Sequence, residues 1–437
     1  MRRAPITRLG LVASLALIVA ACGGGGTSGS GPSASSTGSL PKLNGQSVTA
    51  VAVWTGGEQT AFQQVLAGFN QATGANASYQ SSGTTDMTTF LGAKIQGGNP
   101  PDVAMLPNPG LVTQFANQGA LKPIENIVGS ALNQDFDPYW RQLGTVNGTL
   151  YGFAFKVSNK STFWYNSSVF SQAGVQPPAD WPGLLQTAGT ISDFGTTPFA
   201  IDGGSGWPLT DWFENVYLRT AGADMYDKLT QHQIKWTDPS VQTALQTMVQ
   251  AWKSSWILGG ASGSLQSTFP DDTAKTFSTP PQAAMTYEGN FVQYAIPSGA
   301  GSAAFFNFPS INGSPPAVIV GADTAVLLKD TPGGRALIQY LATPAAAGIW
   351  AKAGGGYLSP NKMVPMASYA DANTQKAASQ LTSAQTLRFD MSDLEPASFG
   401  GTTGQGEFKA FQDLLRNPTD ISGVMSELET AAAKAFT

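Results

Sequence analysis

Four places in the chain set an aromatic ring beside a carboxylate or carboxamide and next to a glycine turn. They are Trp54 with Glu58, Trp207 with Asp211, Tyr287 with Glu288 and Asn290, and Tyr357 after the run "AGGG". A ring can stack on the apolar C–H face of a sugar while carboxylates and amides accept from its rim of hydroxyls. The combination suits non-covalent capture of a carbohydrate. Nucleophilic chemistry has much less material. His232 is the only histidine and stands in the polar stretch "LTQHQIKW", where a solvated loop residue is expected. The chain holds no G-x-S-x-G elbow, no HExxH pair, no Walker loop ending in Gly-Lys-Ser/Thr and no G-x-G-x-x-G following a strand. No catalytic residue, metal ligand or cofactor is therefore expected. Glycoside hydrolysis needs only two carboxyl groups, so Glu58 with Asp211 or Glu288 keeps a secreted glycosidase open as the alternative.

The elements that must hold these residues are partly legible. In "GSGWPLTDWFENVYLRTAG", taking Leu209 as origin, Trp212, Phe213, Val216 and Tyr217 follow at steps of three, four, seven and eight. That is one face of a helix, and those side chains are expected in the core. Trp207 precedes Pro208, a residue suited to the first helical position, so its ring is expected on the loop leading in, uncommitted to that face. Residues 48–53, "VTAVAV", read as a buried strand. A Gly turn follows, then a helix marked by Phe62, Val65, Leu66 and Phe69 that stops near Gly74. Strand "DVAML" and the loop and helix of "NPGLVTQFANQGAL" repeat the arrangement. Alternation of this kind implies an α/β fold with a mixed or mostly parallel sheet covered on both faces, with ligands outside the carboxyl ends of the strands. Glu58 and Asn108 fall in two such strand-end loops. Further along, residues 239–252 form a helix capped by Asp238, and "AVIVGADTAVLLKD" a strand passing into a different environment.

The N-terminus reads as an export signal: Arg2, Arg3 and Arg8 precede an apolar stretch from Leu9 to Ala20. It ends in Val19-Ala20-Ala21-Cys22, which resembles the lipobox of bacterial lipoproteins, where Cys22 becomes the acylated N-terminus. Cys22 is the sole cysteine, so no internal disulfide can form. The run "GGGGTSGSGPSASSTGSL" then makes a flexible tether with a reach of about 25 Å. Loss of the three signal arginines takes the net charge from −5 to −8, and no basic tract remains for nucleic acid or anionic lipid. The remaining chain is longer than one core usually organises, so two lobes are expected.

The order and spacing of several segments resemble the solute-binding lipoproteins of ABC sugar importers, the family that includes maltose and α-glucoside receptors. The likeness is carried by "VAVWTGGEQTAF", "GGNPPDVAMLPNPGLVTQFANQGALKPI", "NGTLYGFAFKVSNKSTFWYNSSVFSQAGVQPP", the Trp-rich helix start, "QAAMTYEGNFV" and "GADTAVLLKDTPGGRALIQYLATPAAAGIW". The resemblance implies a type II periplasmic-binding-protein-like fold: two α/β lobes, mixed sheets flanked by helices, and three hinge crossings near Lys156 to Lys160, Val320 to Thr324 and residues 364–372. Residues 1–21 would be the signal and 22–44 the tether. Lobe 1 would take 45–156 plus 325–366, and lobe 2 would take 157–320 plus 371–437.

Carried over residue by residue, Glu58, Asn108, Lys156 and Asp323 would face the cleft or its hinge edge. Trp207, Asp211, Glu288 and Asn290 would approach from the second lobe, and Tyr357 would return from the first. One departure stands out: where many such receptors carry a Trp after the "AM…G" strand, this chain has Asn290 and Phe291. The implied role is capture of a mono- or oligosaccharide, an α-glucoside above all, by a monomer lipid-anchored through Cys22 on the outer face of the cell membrane, for delivery to a permease. A receptor for a non-sugar solute such as a polyamine is the other alternative.

Overall fold

A computed structural model describes residues 39–83, 86–297, 300 and 303–437. The export signal, Cys22 and most of the expected tether lie outside the described residues. Strand β1 (Ser47–Ala52) alternates exposed and buried residues at its start and is then wholly buried. It feeds the helix Gly56–Thr73, whose buried face is Ala61, Phe62, Val65, Leu66 and Phe69. Gly74 ends that helix at φ 73°, a left-handed conformation that costs glycine nothing, and returns its N–H to the Asn70 carbonyl. Leu43, placed by the sequence reading in the tether, is buried against this unit, and its N–H bonds the Thr73 carbonyl.

The remaining strands are β2 (Asn76–Ser81), β3 (Val103–Leu106), the hairpin β4 (Thr145–Val146) and β5 (Thr149–Leu150), β6 (Gly152–Asn159), β7 (Thr162–Asn166), β8 (Phe199–Ala200), β9 (Met285–Tyr287), β10 (Ala303–Asn307), β11 (Ala317–Leu327) and β12 (Thr386–Phe389). One sheet has the order β12-β11-β3-β1-β2, with β6 also on β11; the other runs β10-β7-β9-β8. The first is mixed. β1 is parallel to β2 and β3, whereas β11 is antiparallel to β3 and β6. Its faces are both covered: Trp54, Phe62, Trp350 and Tyr357 belong to one core, and Val51, Leu106, Leu111 and Phe115 to a cluster on the other side. The four-stranded sheet supports a separate core around Phe163, Trp212, Trp236, Trp252 and Phe411. Each such side chain contributes about 1.5–3 kcal/mol by leaving water. No helix among the described residues is long and apolar enough to cross a membrane.

The two cores are joined through three passages. The chain leaves the first sheet at Asn159 and enters the second at Thr162, so Lys160 and Ser161 are the link. In β11, side chains alternate between the cores: Ala317 and Ile319 go to the second, Val318, Val320 and Ala322 to the first, as a two-residue period requires. In the third, beyond residues 364–372, the helix Ala372–Ser383 bonds to β10 of the second sheet: Asn373 and Lys376 donate to the Ala303 and Phe305 carbonyls, and Gln380 donates to Asn307. β12 then pairs in parallel with β11, and Met391 lies in the second core.

Candidate functional site

Two lysines organise the junction. Lys156 lies on β6 opposite Asp323 on β11, and Lys160 follows four residues later, in the link just past the end of β6. The Lys156 ammonium is 2.7 Å from Glu58 Oε1 and 3.4 Å from Asp323 Oδ2. Glu58 arrives from the first turn of the helix that follows β1. Lys160 pairs with Asp390, with Asp211 at 3.4 Å and with Asp393 at 3.5 Å. The stem of Lys160 lies over Gly321, where an added Cβ would come 2.9 Å from the lysine Cε, so a side chain at that position would displace it.

Burial opposes the charge on each lysine, and the surrounding carboxylates outweigh it: both ammonium groups are held above the ordinary lysine value. The carboxyls divide their roles. Burial acts against the charge of Asp390, yet Lys160, the Asp211 carboxyl and the Ser392 hydroxyl together hold it down to about 2. Burial lifts Asp211 well above the usual range, the Lys160 ammonium pulling it down and the Asp390 charge raising it further. Asp393 is pushed up to about 7 by burial and by Asp390. Oxygens of Asp211, Glu214 and Asp390 come within 4.8 Å of one another, close enough to share a cation. The Lys160 ammonium already meets two of the three.

The helix Trp207–Ala221 supplies this half of the junction through a polar stripe at spacing four. Asp211 faces Lys160. Asn215 donates to the Lys160 and Asp211 carbonyls, both at 3.0 Å, and Arg219 donates to the Ala317 carbonyl at 2.7 Å. Glu214 accepts from the backbone N–H of Met391 and Ser392. Sequence reasoning missed Glu214, Asn215, Arg219, Asp390 and Asp393. The readable signal was the row Asp211, Asn215, Arg219 inside an otherwise aromatic helix.

The helix begins at Trp207 itself, not at Pro208; Gly206 precedes it at φ 86°. Trp207 is partly exposed. Its ring meets Phe269 at 5.7 Å and Phe291 at 5.9 Å, with Lys160 Nζ 5.5 Å from its centre. Phe291 also lies 5.6 Å from Lys156 Nζ. Phe291, the residue after Asn290, thus neighbours both the Trp207 ring and Lys156.

Lys156, Asp323 and Glu58 meet at one lysine; Asp211 meets the other. The remaining expected residues are placed differently. Glu288 is buried near Asp202 and Asp272, its Oε2 without a hydrogen-bond partner, and burial with those charges raises it well above its usual value. Asn290 is fully buried and spent on the backbone: its Oδ1 accepts from Asn159 N–H at 2.7 Å and its Nδ2 donates to the Gly356 carbonyl. Asn108 caps the helix Pro109–Asn117 by accepting from Leu111 N–H at 2.9 Å.

Tyr357 does not reach the junction surface. It has no exposure, its ring stacks on Trp350 at 5.0 Å, and its hydroxyl donates to the Phe155 carbonyl. A ring flanked by a glycine turn looks available in sequence, but the turn folds it inward. Trp54 and Tyr287 are likewise core residues. His232 is not freely solvated: its Nε2 lies 3.2 Å from Glu429 Oε2.

Comparison with known proteins gives a consistent result. The family model described as "Bacterial extracellular solute-binding protein" matches residues 54–348. The osmoprotective compounds-binding protein GgtB of Synechocystis sp. is 33% identical over 378 residues, covering 83% of this chain and 89% of its own. The alpha-glucosides-binding periplasmic protein AglE of Rhizobium meliloti is 34% identical over 381 residues, covering 82% and 81%. Among solved structures, the bacterial solute receptor AcbH superposes with a TM-score of 0.80 at 21% identity, over 90% of this chain and 100% of that one. A chitin oligosaccharide binding protein gives 0.76 at 20% identity, over 90% and 99%. Those likenesses establish the two-lobe α/β fold.

Proposed function

Because the chain belongs to the family of bacterial extracellular solute-binding proteins, we propose that it is the receptor of an ABC sugar importer. In this reading it captures a mono- or oligosaccharide of the α-glucoside class between its two halves and hands it unchanged to a membrane permease. The carrying observation is the setting of Trp207, a partly exposed indole at the junction with an ammonium, two further rings and a set of carboxyls around it. An indole face and hydrogen-bonding groups at one point suit a sugar's two kinds of surface. The α-glucoside assignment leans on the relative from Rhizobium meliloti.

The mechanism is hinge closure. Lys160–Ser161 and β11 are the segments about which the halves turn, and a sugar touching both halves favours the closed form by its differential affinity for it. Glu58, Lys156 and Asp323 then act from one side, Trp207, Asp211 and Glu288 from the other, with Asn108 at the rim and Asn290 fastening the hinge. In the cell the protein is held to the outer face of the membrane by acylated Cys22.

A screen of melting temperature across sugars tests this directly, since a ligand that binds only the folded state must raise it. Stoichiometric recovery of intact labelled maltose or trehalose supports a receptor; turnover would support the glycosidase. A Cys22→Ser chain should leave the membrane fraction. One observation favours a second reading, capture of a cationic solute such as a polyamine. Two lysines at the junction face five carboxyls, Glu58, Asp323, Asp211, Asp390 and Asp393. Melting shifts with spermidine and none with sugars would select it.

A further inference from the structure

The turn that leads into Trp207 is tied to a second loop, residues 264–269, and the tie nearest the rings is a single buried carboxylate. Gly203 N–H bonds the Ser264 carbonyl at 3.1 Å, and Gly204 N–H bonds the Ser267 carbonyl at 2.9 Å. A Cβ at Gly204 would collide with the Ser267 carbonyl oxygen, so the two backbones lie flush only because that residue is glycine. Asp202, 2% exposed, completes the arrangement. Its Oδ1 accepts from Ser205 N–H at 3.0 Å, and its Oδ2 accepts from the Ser205 hydroxyl at 2.7 Å and from Phe269 N–H. Ser205 stands two residues before Trp207, and the Phe269 ring lies 5.7 Å from the Trp207 ring. One side chain therefore fixes the backbone beneath two rings of the junction.

Resting on the receptor reading above, we infer that Asp202 is a positioning residue for the sugar site, its carboxylate fastening the Phe269 loop to the turn before Trp207, so that sugar affinity rises with pH as this carboxylate ionises. Only the ionised form accepts all three bonds. A protonated Oδ2 turns donor and gives up at least one of its ties to Ser205 and Phe269.

The charged groups around Asp202 are Asp272 and Lys275, paired at 3.3 Å on the helix Asp271–Thr276, and Glu288 just past the end of β9. The helix Gly406–Arg416 reaches the same turn through Gln412, which is uncharged and donates to the Gly203 carbonyl at 2.9 Å. Burial raises Asp202 to about 6 against the pull of its Ser205 and Phe269 donors, and the Asp272 charge adds to the rise. The change in affinity therefore belongs between about pH 5 and pH 7.

Titration calorimetry of the full mature chain with glucose, maltose and trehalose, at about pH 5 and about pH 7.5, tests this. The sugar bound most tightly should bind at least about fivefold more weakly at the acid end, the low end of the coupling usual between two sites. Asp202→Asn cannot ionise and keeps one acceptor oxygen, so it should bind sugar weakly at both values and lose the pH dependence. Ser205→Ala removes one donor, leaves the carboxylate, and should keep that dependence. A raised folded-state pKa makes the free protein more stable toward acid, so a general loss of fold would give the opposite trend. An affinity flat with pH in the natural chain, which needs no variant to fold, overturns the role of Asp202 and leaves the receptor reading standing. Natural affinity and pH dependence in Asp202→Asn do the same. Absence of binding by any sugar at either pH overturns both.

Discussion

The ammonium of Lys160 stands 5.5 Å from the centre of the Trp207 ring and 3.4 Å from Asp211, so the first and fifth residues of one helix meet the same hinge lysine. Trp207 is partly exposed, whereas Trp212, one and a half turns later, is sealed in the second core.

That contrast predicts two separable effects. Trp207→Ala should weaken sugar binding by about tenfold or more, by loss of a stacking surface, with little change in the melting temperature of the free protein. Trp212→Ala should cost about 3–5 kcal/mol of stability through the cavity it leaves. Calorimetric titration and chemical denaturation distinguish them. A large loss of unliganded stability in Trp207→Ala would show that its ring is a packing element.

Lys160→Met removes the one cation shared by Asp211, Asp390 and Asp393. Leaving buried carboxyls uncompensated is expected to cost about 3–5 kcal/mol. Urea denaturation of the variant measures it, and a loss below that of an ordinary surface substitution would mean the cluster sheds its charge as protons instead.

Stability should fall as pH rises toward neutrality. Asp393 is pushed up to about 7 and Asp202 to about 6, each chiefly by burial, against an ordinary value of 3.8. A carboxyl with a raised folded-state pKa binds its proton more tightly folded than unfolded. Its contribution is complete below about pH 4 and lost as pH climbs through 6 to 7. Glu288, Glu395 and Glu407, all raised by burial, act in the same direction. Asp390, held at about 2, works the opposite way only in strong acid. Melting temperature followed from about pH 4 to pH 8 should decline, and Asp393→Asn should flatten the decline. A melting temperature that climbs across this window would contradict the assignment.

Asn290→Ala strands two buried backbone groups, the Asn159 N–H and the Gly356 carbonyl. A loss of about 1–3 kcal/mol follows from leaving such groups unpaired. Because Asn159 is the last residue before the Lys160–Ser161 link, the variant should also loosen the hinge. Small-angle scattering with and without sugar would reveal a larger open fraction; an unchanged profile and stability would deny Asn290 that role.

Much of this was legible before any coordinates. Leu209, Trp212, Phe213, Val216 and Tyr217 repeat at helical spacing and all join the second core, because apolar periodicity records the face a helix turns to its core; the burial of the opposite, polar face of this helix at the junction was not legible that way. Gly74 ends its helix and Asp238 caps another, as their places in the sequence suggest, since capping depends on the few residues around a helix end. Residue types near the junction, aromatics beside carboxyls, likewise stood in the sequence.

Which of those residues face outward was decided only by tertiary structure. Tyr357 and Trp207 both sit beside glycine turns, yet one is stacked inside on Trp350 and the other stays partly exposed. Asp390 lies 230 positions from Lys160 and meets it only because β12 pairs with β11. Local sequence fixes the hydrogen bonds and periods that make elements, which act over a few residues. The partners of a buried charge come from whichever distant strand the sheet places alongside, and that is set by the packing of the whole chain.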